Sequence, residues 1–223
     1  MKSLESIESK FFSQHGEDGI IEYLVSRLPD NNRTFVEIGC GTGNENNTTH
    51  LARQGWGGVV FDRKEARIER YRSLGFESVC AHCIEISPDS IDDIVKLIPL
   101  EPAVFSLDID GYDYHVMKAL LERDFRPDIA VLEYNPFFCH LSLTVKYPRV
   151  KRLDKNIYYG CGIEAWKSLM SQYGYHYVTT DTTGTNAFFN KGIAPEYLQD
   201  VTWIEKIAEE DSNRLLYLPF ERV

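Results

Sequence analysis

The strongest restriction on what this chain can fold into is a β-favouring run, Thr34-Phe35-Val36-Glu37-Ile38, that empties into Gly39-Cys40-Gly41-Thr42-Gly43. Three alternating glycines at the end of a strand clear the side chains from a strand-to-helix turn, so a ligand can lie directly on the backbone. Around this turn, short β-rich runs alternate with longer amphipathic stretches, the pattern of an open α/β sheet. Helices are predicted over 18–28, 64–74, 87–97, 112–122 and 163–173, and strands over 34–38, 58–62, 78–81, 103–108 and 128–133. Ile20, Ile21, Leu24, Val25 and Leu28 share one face of the first helix. Gly75 stops the second helix, and Ser87-Pro88 opens the third as N-cap and first helical residue. Strands over 175–180 and 187–190 are joined by Asp181-Thr182-Thr183-Gly184-Thr185, too short for a parallel crossover, so they form an antiparallel hairpin. The segment 195–223 is read as one helix plus an ordered end carrying Trp203, Tyr217 and Phe220.

The kind of ligand follows from what the glycine loop lacks. A dinucleotide fingerprint requires Gly or Ala at position 44, where Asn44 stands, and no Gly-Lys-Ser/Thr follows to make a phosphate loop. Glu37 through Gly43 instead resembles the first motif of class I S-adenosylmethionine-dependent methyltransferases, an acidic residue followed by G-x-G-x-G. The hairpin late in the chain fits the same family. That resemblance implies a Rossmann-like sheet, mostly parallel, in the order 3-2-1-4-5-7-6 with the last strand antiparallel and helices on both faces. A narrower resemblance, to the FkbM-type methyltransferases, is carried by four strings: Ser13-Gln14-His15-Gly16-Glu17-Asp18, Leu107-Asp108-Ile109-Asp110-Gly111-Tyr112-Asp113, Leu132-Glu133-Tyr134-Asn135 and Gly184-Thr185-Asn186-Ala187-Phe188-Phe189. Those enzymes are mostly small-molecule and sugar O-methyltransferases.

The resemblance implies S-adenosyl-L-methionine as cofactor and assigns its pocket position by position. Gly39, Gly41 and Gly43 line the methionine moiety, and Glu37 either orders the loop or meets the amino group. Asp62, at the end of the second strand, accepts the ribose hydroxyls. His82 to Glu85, Cys83 among them, flank the adenine. Asn46, with Asn47 and Thr48, opens the helix after the loop, where it caps the helix or touches the cofactor.

Ligands of open α/β sheets sit at the carboxyl ends of the strands. Strand four ends in Asp108-Ile109-Asp110 and strand five in Glu133-Tyr134-Asn135, so Asp108, Asp110, Glu133 and Asn135 are expected to converge on the transferred methyl group, Asp108 touching cofactor as well. Clustered carboxylates repel unless a proton or cation sits among them, and a hard divalent ion, Mg²⁺ or Mn²⁺, takes such oxygen ligands. The layout is similar to that of metal-dependent catechol-type O-methyltransferases. Two other readings stay open: Asp108 or Asp110 is a general base without metal, or Asp110 to Asp113 merely turns the chain and caps a helix. His15 is a further candidate base, and Gln14, His140, Tyr158 and Tyr159 are candidate substrate contacts.

Lys and Arg number 24 against 34 Asp and Glu, a net charge of −10 that disfavours nucleic acid as partner. Against that background Lys146, Arg149, Lys151, Arg152 and Lys155 crowd into ten residues. Arg149 and Arg152 are the candidates to grip an anionic acceptor, since a guanidinium makes paired hydrogen bonds to an oxyanion. No apolar run is long enough for a membrane span, and the five cysteines without an export signal point to reduced thiols in the cytoplasm. Cys80-Ala81-His82-Cys83 is read as a buried strand end rather than half of a metal site. The expected organisation is one methyltransferase domain, 1–223, with an N-terminal cap segment over 1–30 and a substrate-loop insertion over 136–174. Its expected partners are a small-molecule acceptor, anionic in character, and a second copy of the chain in a homodimer. The expected function is O-methylation of a sugar or natural-product intermediate. The alternatives are methylation at nitrogen or at a phosphorus-linked oxygen, a Rossmann domain that binds without catalysis, and, disfavoured by Asn44 and the hairpin, a NAD-linked enzyme.

Overall fold

The computed structural model of the chain describes residues 6–29, 32–138, 140–148, 157–192 and 218–223. Apolar residues spaced for two-sided burial place strand β1 (Thr34–Ile38) at the centre, between β2 (Gly57–Asp62) and β4 (Val104–Leu107), all parallel. Beyond β2 lies β3 (Val79–Cys83), and beyond β4 lies β5 (Ile129–Glu133). The hairpin of β7 (Tyr175–Thr180) and β8 (Asn186–Lys191) completes the sheet, with β8 antiparallel to both β5 and β7. The order is β3-β2-β1-β4-β5-β8-β7. It is the expected order; the labels of the hairpin move up by one because a short strand, β6 (Leu143–Val145), intervenes in sequence and lies outside this sheet. β6 pairs antiparallel with β9 (Phe220–Arg222).

Alternation along β1 sends Phe35 to one face and Val36 and Ile38 to the other, and each face is covered by helices. On the Phe35 side, α1 (Glu17–Val25), α2 (Thr49–Arg53) and α3 (Glu65–Arg72) bury Ile20, Ile21, Leu51 and Ile68. On the other side, α4 (Ile91–Ile94), α5 (Asp113–Leu121) and α6 (Ile163–Ser171) bury Ile91, Val116, Leu120, Trp166 and Met170. Phe105 meets Phe125 edge-on at 4.9 Å in this second core. Each such fully buried apolar side chain contributes about 1.5–3 kcal/mol. None of these helices is long and apolar enough to cross a membrane.

Two expectations need correction. The helix expected over 87–97 is a 3₁₀ turn (Pro88–Ser90) followed by the one-turn α4. Ser90 accepts the Ser87 N–H and donates to the Ser87 carbonyl, and such local bonds compete with regular helix. Cys80, expected to be buried, is exposed, because β3 is the outer strand of the sheet. The four cysteines among the described residues are free thiols. The segment 193–217, with Trp203 and Tyr217, lies outside the described residues, while Phe220 belongs to β9.

Candidate cofactor cavity and carboxylate cluster

A cavity of about 500 Å³ opens at the carboxyl ends of the parallel strands. Gly39 and Gly41 form its floor, Asp62 stands at the end of β2, Ile84 to Ile86 follow β3, and Asp108 and Asp110 follow β4. Gln14 reaches it from the segment before α1.

The glycine loop holds its shape from behind. Glu37 is buried at 3% exposure, where its Oε2 accepts from Asn46 Nδ2 and Thr48 Oγ1, both at 2.6 Å, and its Oε1 accepts the Asn47 N–H at 3.0 Å. Burial pushes the Glu37 carboxyl up and these donors pull it back. Glu37 is therefore the anchor of the loop, and Asn46 spends its amide on that anchor; neither lines the cavity. Gly39 (φ +96°) lies so close to the Asp108 carbonyl that a Cβ would sit 1.6 Å from its oxygen, which fastens β1 to the end of β4. Gly41 (φ +57°) has nothing within 4 Å of such a Cβ and leaves its backbone open to a ligand. Gly43 points away: its missing Cβ makes room for Leu74 and Tyr71, and it does not line the cavity.

Asp62 is buried and already busy. It accepts the Lys64 N–H at 2.8 Å and the Gly41 N–H at 3.2 Å, and it pairs with Arg67 at 3.0 Å. Arg67 also lines the cavity, so the end of β2, where the ribose is expected, carries a partly exposed guanidinium as well as a carboxylate. Of the expected adenine wall, His82 to Glu85, the second half lines the cavity: Ile84 and Glu85 do, joined by Ile86, whereas His82 does not and Cys83 packs against the Phe35-side core.

Asp108, Asp110 and Glu133 come together with one oxygen each, all within 4.8 Å of one another. Among the described residues this is the one such group of His, Cys, Asp or Glu. Glu133 is 9% exposed, and its Oε2 has no hydrogen-bond partner. Burial pushes Asp108 up to about 7, helped by the charges of Asp113 and Asp110. Burial, then the charges of Asp108, Asp113 and Asp110, push Glu133 well above the carboxylate range. The unliganded cluster thus holds protons that a cation would displace.

Asn135 leaves this set. Its Nδ2 donates to the Ile157 carbonyl at 2.7 Å and to that of Tyr159 at 3.0 Å, and its Oδ1 accepts the Phe137 N–H at 3.0 Å. The amide is a latch for the 157–159 segment, with both N–H groups spent on backbone carbonyls and its oxygen engaged by the Phe137 N–H. That latch brings Tyr159 beside the cluster: the neighbouring Glu133, Asp110 and Asp108, after burial, raise its phenol. Tyr158 points the other way, fully buried, with its hydroxyl donating to the Pro219 carbonyl at 3.1 Å, so it is no substrate wall. His140 is exposed and away from the cavity, and His15 does not line it although Gln14 does. Arg149 and Arg152 lie outside the described residues.

Three of the four strings quoted above meet around the hairpin. Asn186 donates to Glu17 at 2.9 Å, and the Tyr134 N–H donates to the Thr185 carbonyl at 3.0 Å. Asp18 accepts the N–H groups of Phe11, Phe12 and Ser13 at 2.7–2.9 Å. Glu17 and Asp18 are thus structural acids that dock the N-terminal segment. The residues that sequence reasoning missed include Arg67, Ile86 and Tyr112; the Ile84-Glu85-Ile86 alternation just past β3 was the available signal for Ile86.

No protein-family model and no curated protein sequence matches the chain. Solved structures do. An O-methyltransferase from Bacillus cereus, determined in complex with SAH, is 17% identical with a TM-score of 0.51 over 78% of this chain and 76% of that one. The CurJ carbon methyltransferase is 12% identical with a TM-score of 0.51, over 79% of this chain and 53% of that one. The pyocyanin biosynthetic protein PhzM is 17% identical with a TM-score of 0.45, over 77% and 54%. The chain spans about half the length of the last two. With the strand order above, the likenesses to the Bacillus cereus O-methyltransferase and to CurJ define its architecture: this is the Rossmann-like fold of the class I methyltransferases.

Proposed function

We propose that the protein transfers a methyl group from S-adenosylmethionine to a hydroxyl of a small polar acceptor, as the FkbM-type resemblance of its motifs suggests. The observation that carries this reading is one cavity faced by an open glycine backbone, a buried acid at the end of β2, and Asp108 and Asp110 at the end of β4, which form a carboxylate cluster with Glu133 at the end of β5. The fold is shared by oxygen and carbon methyltransferases, so the choice of oxygen rests on the cluster. Methyl transfer is an in-line displacement: the carbon–sulfur bond breaks as the carbon–oxygen bond forms, leaving S-adenosylhomocysteine and a methyl ether. The hydroxyl proton passes to the Asp108 carboxylate, whose pKa of about 7 suits a general base at neutral pH.

A divalent cation, Mg²⁺ or Mn²⁺, fits the same cluster. Three carboxylate oxygens within 4.8 Å and the orphaned Glu133 Oε2 are what such an ion satisfies, with Asp108, Asp110 and Glu133 as ligands. It would supply Lewis-acid activation of the acceptor oxygen. An anionic acceptor is supported by the start of the basic segment: Tyr147, next to Lys146, is tied to Asp89 at 2.6 Å and packs on Tyr112, a cavity residue.

Calorimetry with S-adenosylhomocysteine and with NAD tests the cofactor. The expected result is S-adenosylhomocysteine binding that Asp62→Ala weakens by about 1.5–3 kcal/mol, the loss from stranding ribose hydroxyls. NAD binding more tightly than S-adenosylhomocysteine overturns the reading.

A further inference from the structure

We propose that Asp113 is a positioning residue, whose carboxylate clamps the backbone on both sides of Asp110 and thereby turns Asp110 toward Asp108 and Glu133. Asp113 is the first residue of α5 and is fully buried. Its Oδ1 accepts the Ile109 N–H at 2.8 Å and its Oδ2 accepts the Gly111 N–H at 2.9 Å. Those two amides bracket Asp110. The Gly111 carbonyl is fixed as well, accepting from the Gly160 N–H at 2.9 Å. Between these fixed planes Asp110 takes φ +53°, a left-handed conformation that Asp tolerates and does not prefer.

Two features separate this arrangement from an ordinary helix start. A capping side chain precedes the helix and bonds forward to its free N–H groups. Asp113 lies inside the helix and reaches backward into the loop, so its partners are loop amides. The choice of acid is also unfavourable in itself, because Asp113 adds a buried negative charge beside Asp108 and Asp110. An Asn or Ser would close a turn without that repulsion. What only a carboxylate offers here is two equivalent acceptor oxygens for two amides, and the consequence is the aim of Asp110.

The proposal rests on the cluster being a divalent-cation site. Its test uses Mn²⁺ titration followed by electron paramagnetic resonance on the full chain saturated with S-adenosylhomocysteine, for wild type, D113N, D110N and the double variant. D113N keeps one acceptor oxygen and is expected to weaken Mn²⁺ about 10- to 100-fold, the usual effect of losing a group that orients a ligand. S-adenosylhomocysteine affinity should change less than about threefold, and D113N should add nothing in the D110N background. Unchanged Mn²⁺ affinity in D113N, or full additivity with D110N, overturns the proposal, since a merely structural residue acts independently of Asp110. If the wild type binds no Mn²⁺, the cation reading alone falls, and amide exchange then decides the clamp. Ile109 and Gly111 amides that exchange as slowly in D113N as in wild type overturn it; faster exchange at these two sites, with the sheet unchanged, sustains it.

Discussion

Glu37 and Glu133 are both buried acids at the carboxyl ends of parallel strands, one behind the glycine loop and one behind the carboxylate cluster. Glu37 meets three donors within 3.0 Å. Glu133 meets other carboxylates, and its Oε2 meets no donor. Behind the glycine loop the buried charge is satisfied within the protein: both Glu37 oxygens accept from the residues that follow the loop. The carboxylate cluster is left electrostatically incomplete, which is the condition of a site that awaits a cation, a proton or a substrate.

The contrast is sharpest if the two glutamates are changed separately. Glu37→Ala strands three buried donors and should lower unfolding free energy on the order of 3 kcal/mol or more, measured by urea denaturation. A loss below about 1 kcal/mol would mean that the loop holds itself. Glu133→Gln should do the reverse in the unliganded protein at pH 8. Gln removes the cost of keeping an acid buried there, whether as a held proton or as a repelled charge, and stabilises by on the order of 1 kcal/mol, a gain of about 2–4 °C in Tm for a chain of this size. A Tm that falls would show that the cluster is satisfied by contacts and not awaiting any.

A further effect is in pH. The folded state raises Asp108 from 3.8 to about 7, so it binds that proton more tightly than the unfolded chain does. This contribution to stability is fully present below about pH 4 and is lost as pH rises through about 7. The Tm difference between wild type and Asp108→Asn should therefore move against the wild type by about 4–8 °C from pH 5.5 to pH 8, the equivalent of about 2 kcal/mol. Movement in the opposite direction contradicts the burial of Asp108.

Much of this was legible in the sequence because it depends on local patterns. The two-sided strands, the Gly39–Gly43 turn, Asp62 and the hairpin each announce themselves within a few residues. Convergence of Asp108, Asp110 and Glu133 followed from the rule about strand ends. What stayed hidden depends on which way a side chain turns in three dimensions. Tyr158 and Tyr159 are adjacent and alike, yet one fills the core and the other faces the carboxylates. Gly43 looks like its two neighbours but serves Leu74 and Tyr71. Asn135 has the chemistry of a metal ligand and the geometry of a latch. The strands β6 and β9, three residues each, are too short to show a period.

That last pair bears on how the protein is made. β6 lies between β9 and the 160–162 stretch: Gly162 donates to Leu143, Val145 donates to Gly160, and the Val223 N–H and carbonyl both bond Ser142. Cys161 in turn accepts from the Asn135 amide, and Gly160 donates to Gly111. On a chain emerging from the ribosome, β1, β2 and β3 are complete well before residues 218–223 follow. The 160–162 stretch gains the outer strand of this small sheet only when residues 218–223 have followed, so the glycine-loop side of the large sheet can form before the segment latched by Asn135 is covered.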